Sequence, residues 1–348
     1  MDVGDAYIEC DAEESPNCTN SVPIANRTWN DHLTTFVNGT NMFLLCKKGQ
    51  LPTYKLNVSF EGAGFFDNFN FWTTNVSSEI HGFVEWLNRS TAEQLGLVKF
   101  INGQNYLGVD STNVLNPSAK GRGSVNLQSK ITFSDGGLFM IDFEHMPVGY
   151  QLHSSFWTAD WPDNWPKNGE IDILEYQDGE TSAPITLHTN EYCRQDSVAS
   201  ENGMLPVFRG EFGHTDCTSS VKSNAGCTIR ARSGTIGSSI NNVSGGVYAA
   251  EWDKENFIRV WIFHRNEIPE DIQQGTPNPE KWGFPEAFFR IGPNCTADHF
   301  TNQKIIMDTT FCIGAQNKTG CEDNVRNNPQ LYINAYWLIN SVQVYTKS

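Results

Sequence analysis

The sequence predicts an all-β sandwich, and three observations carry that reading. Short apolar runs separated by turn residues recur from Tyr54 to the C-terminal end. Helical periodicity is scarce. One run, Gly169 Glu170 Ile171 Asp172 Ile173 Leu174 Glu175 Tyr176, sets acids among large aliphatic side chains. Strands at this spacing are typical of two packed antiparallel sheets. The 348 residues suffice for one large β domain with decorations or two modest domains.

Residues 1–53 are polar, carry Cys10, Cys18 and Cys46, and show little periodicity beyond one candidate strand from Thr40 to Cys46. They read as an N-terminal extension, and a single sandwich domain is expected over 54–348. Within it, strands are expected at Tyr54 to Val58, Gly123 to Ser129, Gly137 to Phe143 and Ile185 to Thr189. Further strands are expected at Gly246 to Trp252, Phe257 to His264, Lys304 to Phe311 and Tyr336 to Tyr345. Two short helices are expected, Ser78 to Leu87 and Ser90 to Leu95, the latter capped by Ser90. The stretch from Tyr150 to Gly169 reads as one long loop carrying Trp157, Trp161 and Trp165. Long loops in compact domains are often functional. Indoles here suit the faces of sugar rings, although pinning the loop to the sandwich is the plainer role.

In a β-strand, residues two apart share a face, so Glu170 and Asp172 point one way while Ile171 and Ile173 point into the opposite layer. Strict alternation would send Glu175 to the apolar side. One β-bulge at Ile173 and Leu174 restores it to the face of Glu170 and Asp172. Three acids then line one groove, which suits retaining glycoside hydrolysis: a nucleophile, Glu170, and an acid/base, Glu175, across about 5 to 5.5 Å. Asp172 between them would hydrogen-bond the nucleophile and add the local charge that keeps the acid protonated. A metal site or a solvated acidic edge strand is the competing reading. Hard cations favour clustered oxygens, but an edge strand does not need Ile, Ile and Leu among its acids.

Composition narrows the partner. Lys and Arg number 24 against 40 Asp and Glu, a formal charge of −16. Nucleic acid and anionic membranes are bound through basic patches, so a neutral partner is expected. Aromatic residues make up 12% of the chain and include ten Trp, which suits sugar stacking as well as a large β core. Nine Cys accompany nine Asn-x-Ser/Thr sequons, at Asn17, Asn26, Asn38, Asn57, Asn75, Asn88, Asn242, Asn294 and Asn317. Together they predict a secreted or cell-wall glycoprotein with disulfide bonds. Spacing does not reveal the pairing, and an odd number of Cys leaves one without a partner in the chain. No apolar run approaches the roughly 18 residues of a membrane span, and Met1 Asp2 Val3 Gly4 Asp5 is too polar to begin a signal peptide.

With Gly-Glu-Ile-Asp-Ile-Leu-Glu placed after a Trp-rich stretch, the chain resembles glycoside hydrolase family 16, in particular its fungal laminarinase-like endo-β-1,3(4)-glucanases. Other stretches are similar in the same order, among them Gly64 to Phe69, Tyr106 to Ser111, Gly121 to Val125, Phe139 to Pro147, Thr186 to Thr189, Trp261 to Arg265, Ile268 to Ile272 and Ala335 to Trp337. The resemblance implies a concanavalin A-like β-jelly roll of two curved antiparallel sheets with an open cleft. By motif position, Glu170 is similar to the family nucleophile, Asp172 to its assisting aspartate and Glu175 to its acid/base. His188, Arg122, Trp157 and Trp165 match positions that bind substrate. No cofactor and no metal are implied, and water completes the reaction.

Three departures from the family pattern bear on affinity. His153 Ser154 Ser155 Phe156 Trp157 stands where the fungal enzymes usually read Trp-Pro-Ala-Phe-Trp, losing one aromatic platform. Ile313 Gly314 Ala315 Gln316 Asn317 stands where they read Gly-Asp-Trp-Ala-Gly, losing another. The extension before Tyr54 is the third. The expected function is a secreted retaining endo-β-1,3- or 1,3(4)-glucanase acting on β-glucan. A glucan transglycosylase using the same intermediate, and a non-catalytic glycan-binding or surface structural protein on the same fold, are the alternatives. Three clustered acids facing a neutral sugar argue against a pure binder.

Overall fold

The computed structural model describes residues 53–73, 82–199, 208–220 and 224–347, together with the backbone of a hairpin formed by Leu33–Asn38 and Asn41–Cys46. Cys10, Cys18, the first part of the expected Ser78 helix, and the sequons at Asn17, Asn26 and Asn75 lie outside the described residues, as do the side chains of Asn38 and Cys46.

Two eight-stranded antiparallel sheets form a jelly-roll sandwich. The sheet that carries the acids runs, edge to edge, Glu211–His214, Cys227–Ser233, Ser182–His188, Glu170–Gln177, Leu152–Ala159, Lys304–Phe311, Asn126–Ser129, Phe69–Trp72. In the second sheet, Gly137–His145 pairs with Gly246–Asp253 on one side and Tyr336–Lys347 on the other. Ile171, Ile173, Leu174 and Tyr176 of the acidic strand point into the core between the sheets, where they meet Phe156, Leu187, Tyr248 and Trp252. A smaller core covers the far side of the second sheet, around Trp261 and Trp282. There the Tyr54 hydroxyl donates to Glu251, which also pairs with the buried Arg259, and this anchors the first strand of the sandwich.

Most expected strands form, with ends shifted by a few residues. Four expectations change. The expected strand Gly123 to Ser129 is two: Arg122–Ser124 pairs with Val84–Trp86, and Asn126–Ser129 joins the acid-bearing sheet. The Tyr150 to Gly169 stretch is not one loop: Leu152–Ala159 is a strand at the centre of its sheet, hydrogen-bonded to both Glu170–Gln177 and Lys304–Phe311. His153, Ser154 and Ser155 have weak strand propensity, and pairing on both sides overrides it. Val84–Trp86 is a short strand parallel to Arg122–Ser124, where a helix was expected. The helix Arg89–Gln94 does form, but Asn88 caps it, its Oδ1 accepting from the Thr91 backbone N–H at 3.0 Å. Among the described residues, the three disulfides Cys193–Cys295, Cys217–Cys227 and Cys312–Cys321 use six of the nine Cys. Each closes a loop beside the acid-bearing sheet and is worth on the order of 2–4 kcal/mol.

Candidate active site

The bulge lies where alternation demanded it. Asp172 pairs with Trp157 and Leu174 with Phe156, so Ile173 is the extra residue. Ile173 and Leu174 therefore both face the core, and Glu175 returns to the face of Glu170 and Asp172. Just before the acids, Gly169 has φ +74, and a Cβ there would lie 2.3 Å from the His299 carbonyl oxygen. Only glycine fits this turn, which sets the start of the strand and hence the position of Glu170.

The segment from Asp160 to Gly169 is built as a braced loop. Asp160 accepts from Asn164 Nδ2 at 2.8 Å and Asn168 Nδ2 at 2.7 Å. Burial raises its pKa, but hydrogen bonds from Asn302, Asn168 and Asn164 and the Lys304 charge outweigh that and hold it below the usual range. Gln303 donates to the Asn168 and Gly169 carbonyls and accepts from Thr158, tying the loop to the sheet. These contacts hold Trp165 beside the acids. Its indole nitrogen is buried outside hydrogen-bonding geometry, yet close enough to Glu170 to favour that carboxylate. Trp157, on the central strand, meets Trp161 edge to face at 6.2 Å, and Trp161 meets Trp72 at 4.6 Å. Partly exposed indoles thus line one end of the acid-bearing face.

His188 sits opposite Glu170 on the neighbouring strand. Its Nε2 is 3.1 Å from Asp172 Oδ2 and 3.8 Å from Glu170 Oε1. Its Nδ1 is 2.8 Å from Ser219 Oγ, and the Ser219 hydroxyl donates onward to the Cys217 carbonyl. Ser219 therefore accepts from His188 Nδ1–H and turns Nε2 toward the acids. Burial pushes Glu170 and Asp172 well above the usual carboxylate range, and the Asp172 charge raises Glu170 further. Glu175 disfavours the charge on both, and Asp308 disfavours it on Asp172; His188 and Trp165 favour it on Glu170, and the hydrogen bond from Glu170 favours it on Asp172. Glu170, Asp172 and His188 present ligand atoms within 4.8 Å of one another, a spacing that would also admit a cation.

Arg122 is corrected. It is fully buried, and its guanidinium donates to the carbonyls of Val325, Asp110, Asn113 and Arg326 while lying over the Tyr332 ring. Those bonds use all five N–H donors and leave none for a sugar. It pins the 110–122 segment to the helix Lys318–Asn327 instead. Two residues absent from the sequence-based site join it. His153 Nε2 lies 3.4 Å from Glu175 Oε1. Asp308, buried on the next strand, accepts from Asn126 Nδ2 at 2.8 Å, and burial pushes it up to about 6. A lone acid in the apolar run Lys304–Phe311 was a legible signal, by the same cost argument used for Glu170.

A sandwich whose sheet face carries clustered carboxylates beside indoles is the architecture of a glycoside hydrolase. A family model of the XgeA-like catalytic domain of glycoside hydrolase family 16 matches residues 69–345, and the chain belongs to that family. It is 38% identical over 306 residues to a probable glycosidase of Schizosaccharomyces pombe, covering 84% of this chain and 69% of the relative. It is 36% identical to the endo-1,3(4)-beta-glucanase xgeA of Emericella nidulans, over 84% of this chain but 47% of that protein. The chain thus spans about half the length of this and several other fungal relatives. Among solved structures, laminarinase 16A from Phanerochaete chrysosporium superposes with TM-score 0.76 at 33% identity, over 84% of this chain and all of that one. An elongating family 16 β-1,3-glucosyltransferase superposes with TM-score 0.74 at 35% identity, with the same coverage.

Proposed function

We propose that the protein is a secreted retaining endo-β-1,3(4)-glucanase that cleaves internal linkages by double displacement. The observation that carries this reading is the bulge at Ile173, which gathers Glu170, Asp172 and Glu175 on one face of a family 16 fold. Glu170 attacks the anomeric carbon while Glu175 gives its proton to the leaving glycosidic oxygen. A water then yields a proton to Glu175 and displaces Glu170, so configuration is retained. Asp172, beside Glu170 on the same face, hydrogen-bonds the nucleophile and holds it in place for attack. His188, held by Ser219, steadies Asp172, and Trp165 and Trp157 orient the sugar. Secretion and glycosylation fit the disulfides and the exposed sequons at Asn57, Asn88, Asn242, Asn294 and Asn317. Asn88 and Asn317 cap helices through Oδ1, which leaves Nδ2 for a glycan.

Transfer to a second glucan is the competing outcome, favoured by the likeness to the elongating β-1,3-glucosyltransferase. The test is incubation with laminarin, lichenan and xyloglucan, with product lengths read by mass spectrometry. Shorter oligosaccharides support hydrolysis, and products longer than the donor support transfer. No change in any glucan refutes the enzymatic reading and returns the protein to glycan binding.

A further inference from the structure

The acid-bearing face holds two pairs of carboxyl groups, each with its own imidazole. His188 serves Glu170 and Asp172. The second pair, Glu175 and Asp308, flanks Ser155, which stands in register with Glu175 on one side and Asp308 on the other. His153 is the next residue of that strand on the same face, opposite Gln177 and Thr310. Its Nε2 reaches 3.4 Å from Glu175 Oε1 and 3.2 Å from Ser155 Oγ, and its side chain is 16% exposed.

We propose that His153 is a positioning residue for the acid/base Glu175, holding its carboxyl in place and offsetting its charge against Asp308 whenever Glu175 is ionised. The proposal rests on the acid/base reading of Glu175 given above. Double displacement needs Glu175 in two states. It gives a proton to the leaving oxygen, stands as a carboxylate beside the glycosyl-enzyme, and regains a proton from water. In the middle state it is an anion facing Asp308, whose charge acts on both Glu175 and Asp172. A cation between Glu175 and Asp308 relieves that repulsion. Among the described residues, the other groups facing the pair do not supply one. Asn126 and Gln128 on the outer strand are neutral, Thr310 and Gln177 carry no charge, and Asp172 adds a further acid. Lys304, at the far end of its strand, pairs with Asp163. Asp308 carries the mark of the arrangement, since the His153 charge opposes the burial that raises its pKa. His153 exchanges no proton with substrate in this scheme, so the reaction balances without it.

Two measurements test the role. In His153→Gln, which keeps a hydrogen-bonding side chain without the charge, the alkaline limb of kcat/KM on laminarin is expected to move up. The acid then holds its proton longer without a cation beside it. A structural role would lower the melting temperature and leave both limbs in place. The second readout needs no substrate: NMR titration of the His153 imidazole in the full chain. Its midpoint is expected to fall in Glu175→Gln and in Asp308→Asn, because each removes a facing anion. An unmoved limb, or an imidazole titration blind to Glu175, overturns the proposal. If wild-type protein degrades no glucan while the imidazole titration responds to Glu175, the glucanase reading fails and the pairing stands.

Discussion

Replacing Asp308 with Asn measures how much stability the acid-bearing face gives up for its charge. Asp308 is 7% exposed, and burial pushes its pKa from the ordinary 3.8 up to about 6, against the pull of His153, Trp157 and Asn126. A carboxyl raised in the folded state binds more protons folded than unfolded between those two values, so its contribution to stability falls as pH rises through that window. Below the unfolded value both states are protonated and the group costs nothing. Above about 6 both are ionised and the full cost applies. Roughly two pH units at about 1.36 kcal/mol each give a cost of about 3 kcal/mol near neutral pH. Asn is neutral throughout and keeps a carbonyl oxygen for Asn126 Nδ2. Asp308→Asn is therefore expected to be the more stable protein by about 3 kcal/mol near neutral pH, or about 5 °C in melting temperature for a chain of this size. The gain should vanish below about pH 4. Thermal unfolding of both proteins across a pH series reads the difference directly. A gap that is constant with pH, or a variant less stable near neutrality, would refute the reasoning.

Glu170→Gln and Glu175→Gln are each expected to cost several orders of magnitude in turnover on laminarin while binding survives, and Asp172→Asn to cost less than Glu170→Gln. Equal or greater loss in Asp172→Asn, seen in the same assay, would make Asp172 a primary catalyst. Trp165→Ala should raise KM and lower kcat, because a displaced ring loosens the near-attack geometry. Normal kinetics with a lowered melting temperature would make that indole structural. Arg122→Lys should lower the melting temperature with KM unchanged, since carbonyls left without donors cost about 1–3 kcal/mol each when buried. A selective rise in KM at constant stability would return Arg122 to the cleft. Intact mass before and after glycosidase treatment should show glycans on the native protein, and a single unmodified mass contradicts the secreted reading.

The local pattern of the chain was enough for the acidic strand. Alternation and the need to keep Glu175 off the apolar side placed the bulge at Ile173 and Leu174 before any partner strand was known, because both rules act within eight residues. Runs of β-branched and aromatic residues likewise marked most strands. What lay beyond local pattern is what depends on pairing across long separations. Leu152–Ala159 is a strand because two neighbours hydrogen-bond to it, although its own Ser-rich start reads as loop. Asp308 meets the site because Lys304–Phe311 adds to the far side of that strand, and no spacing in the chain records this. Arg122 carries the residue type of a sugar contact, yet four carbonyls, two from the distant helix Lys318–Asn327 and two from the loop at Asp110 and Asn113, enclose it. His153 could be read from the sequence only as a lost aromatic. The strand register turned it toward Glu175, because a side chain's role on a sheet face is set by the residues paired beside it, which the local sequence does not contain.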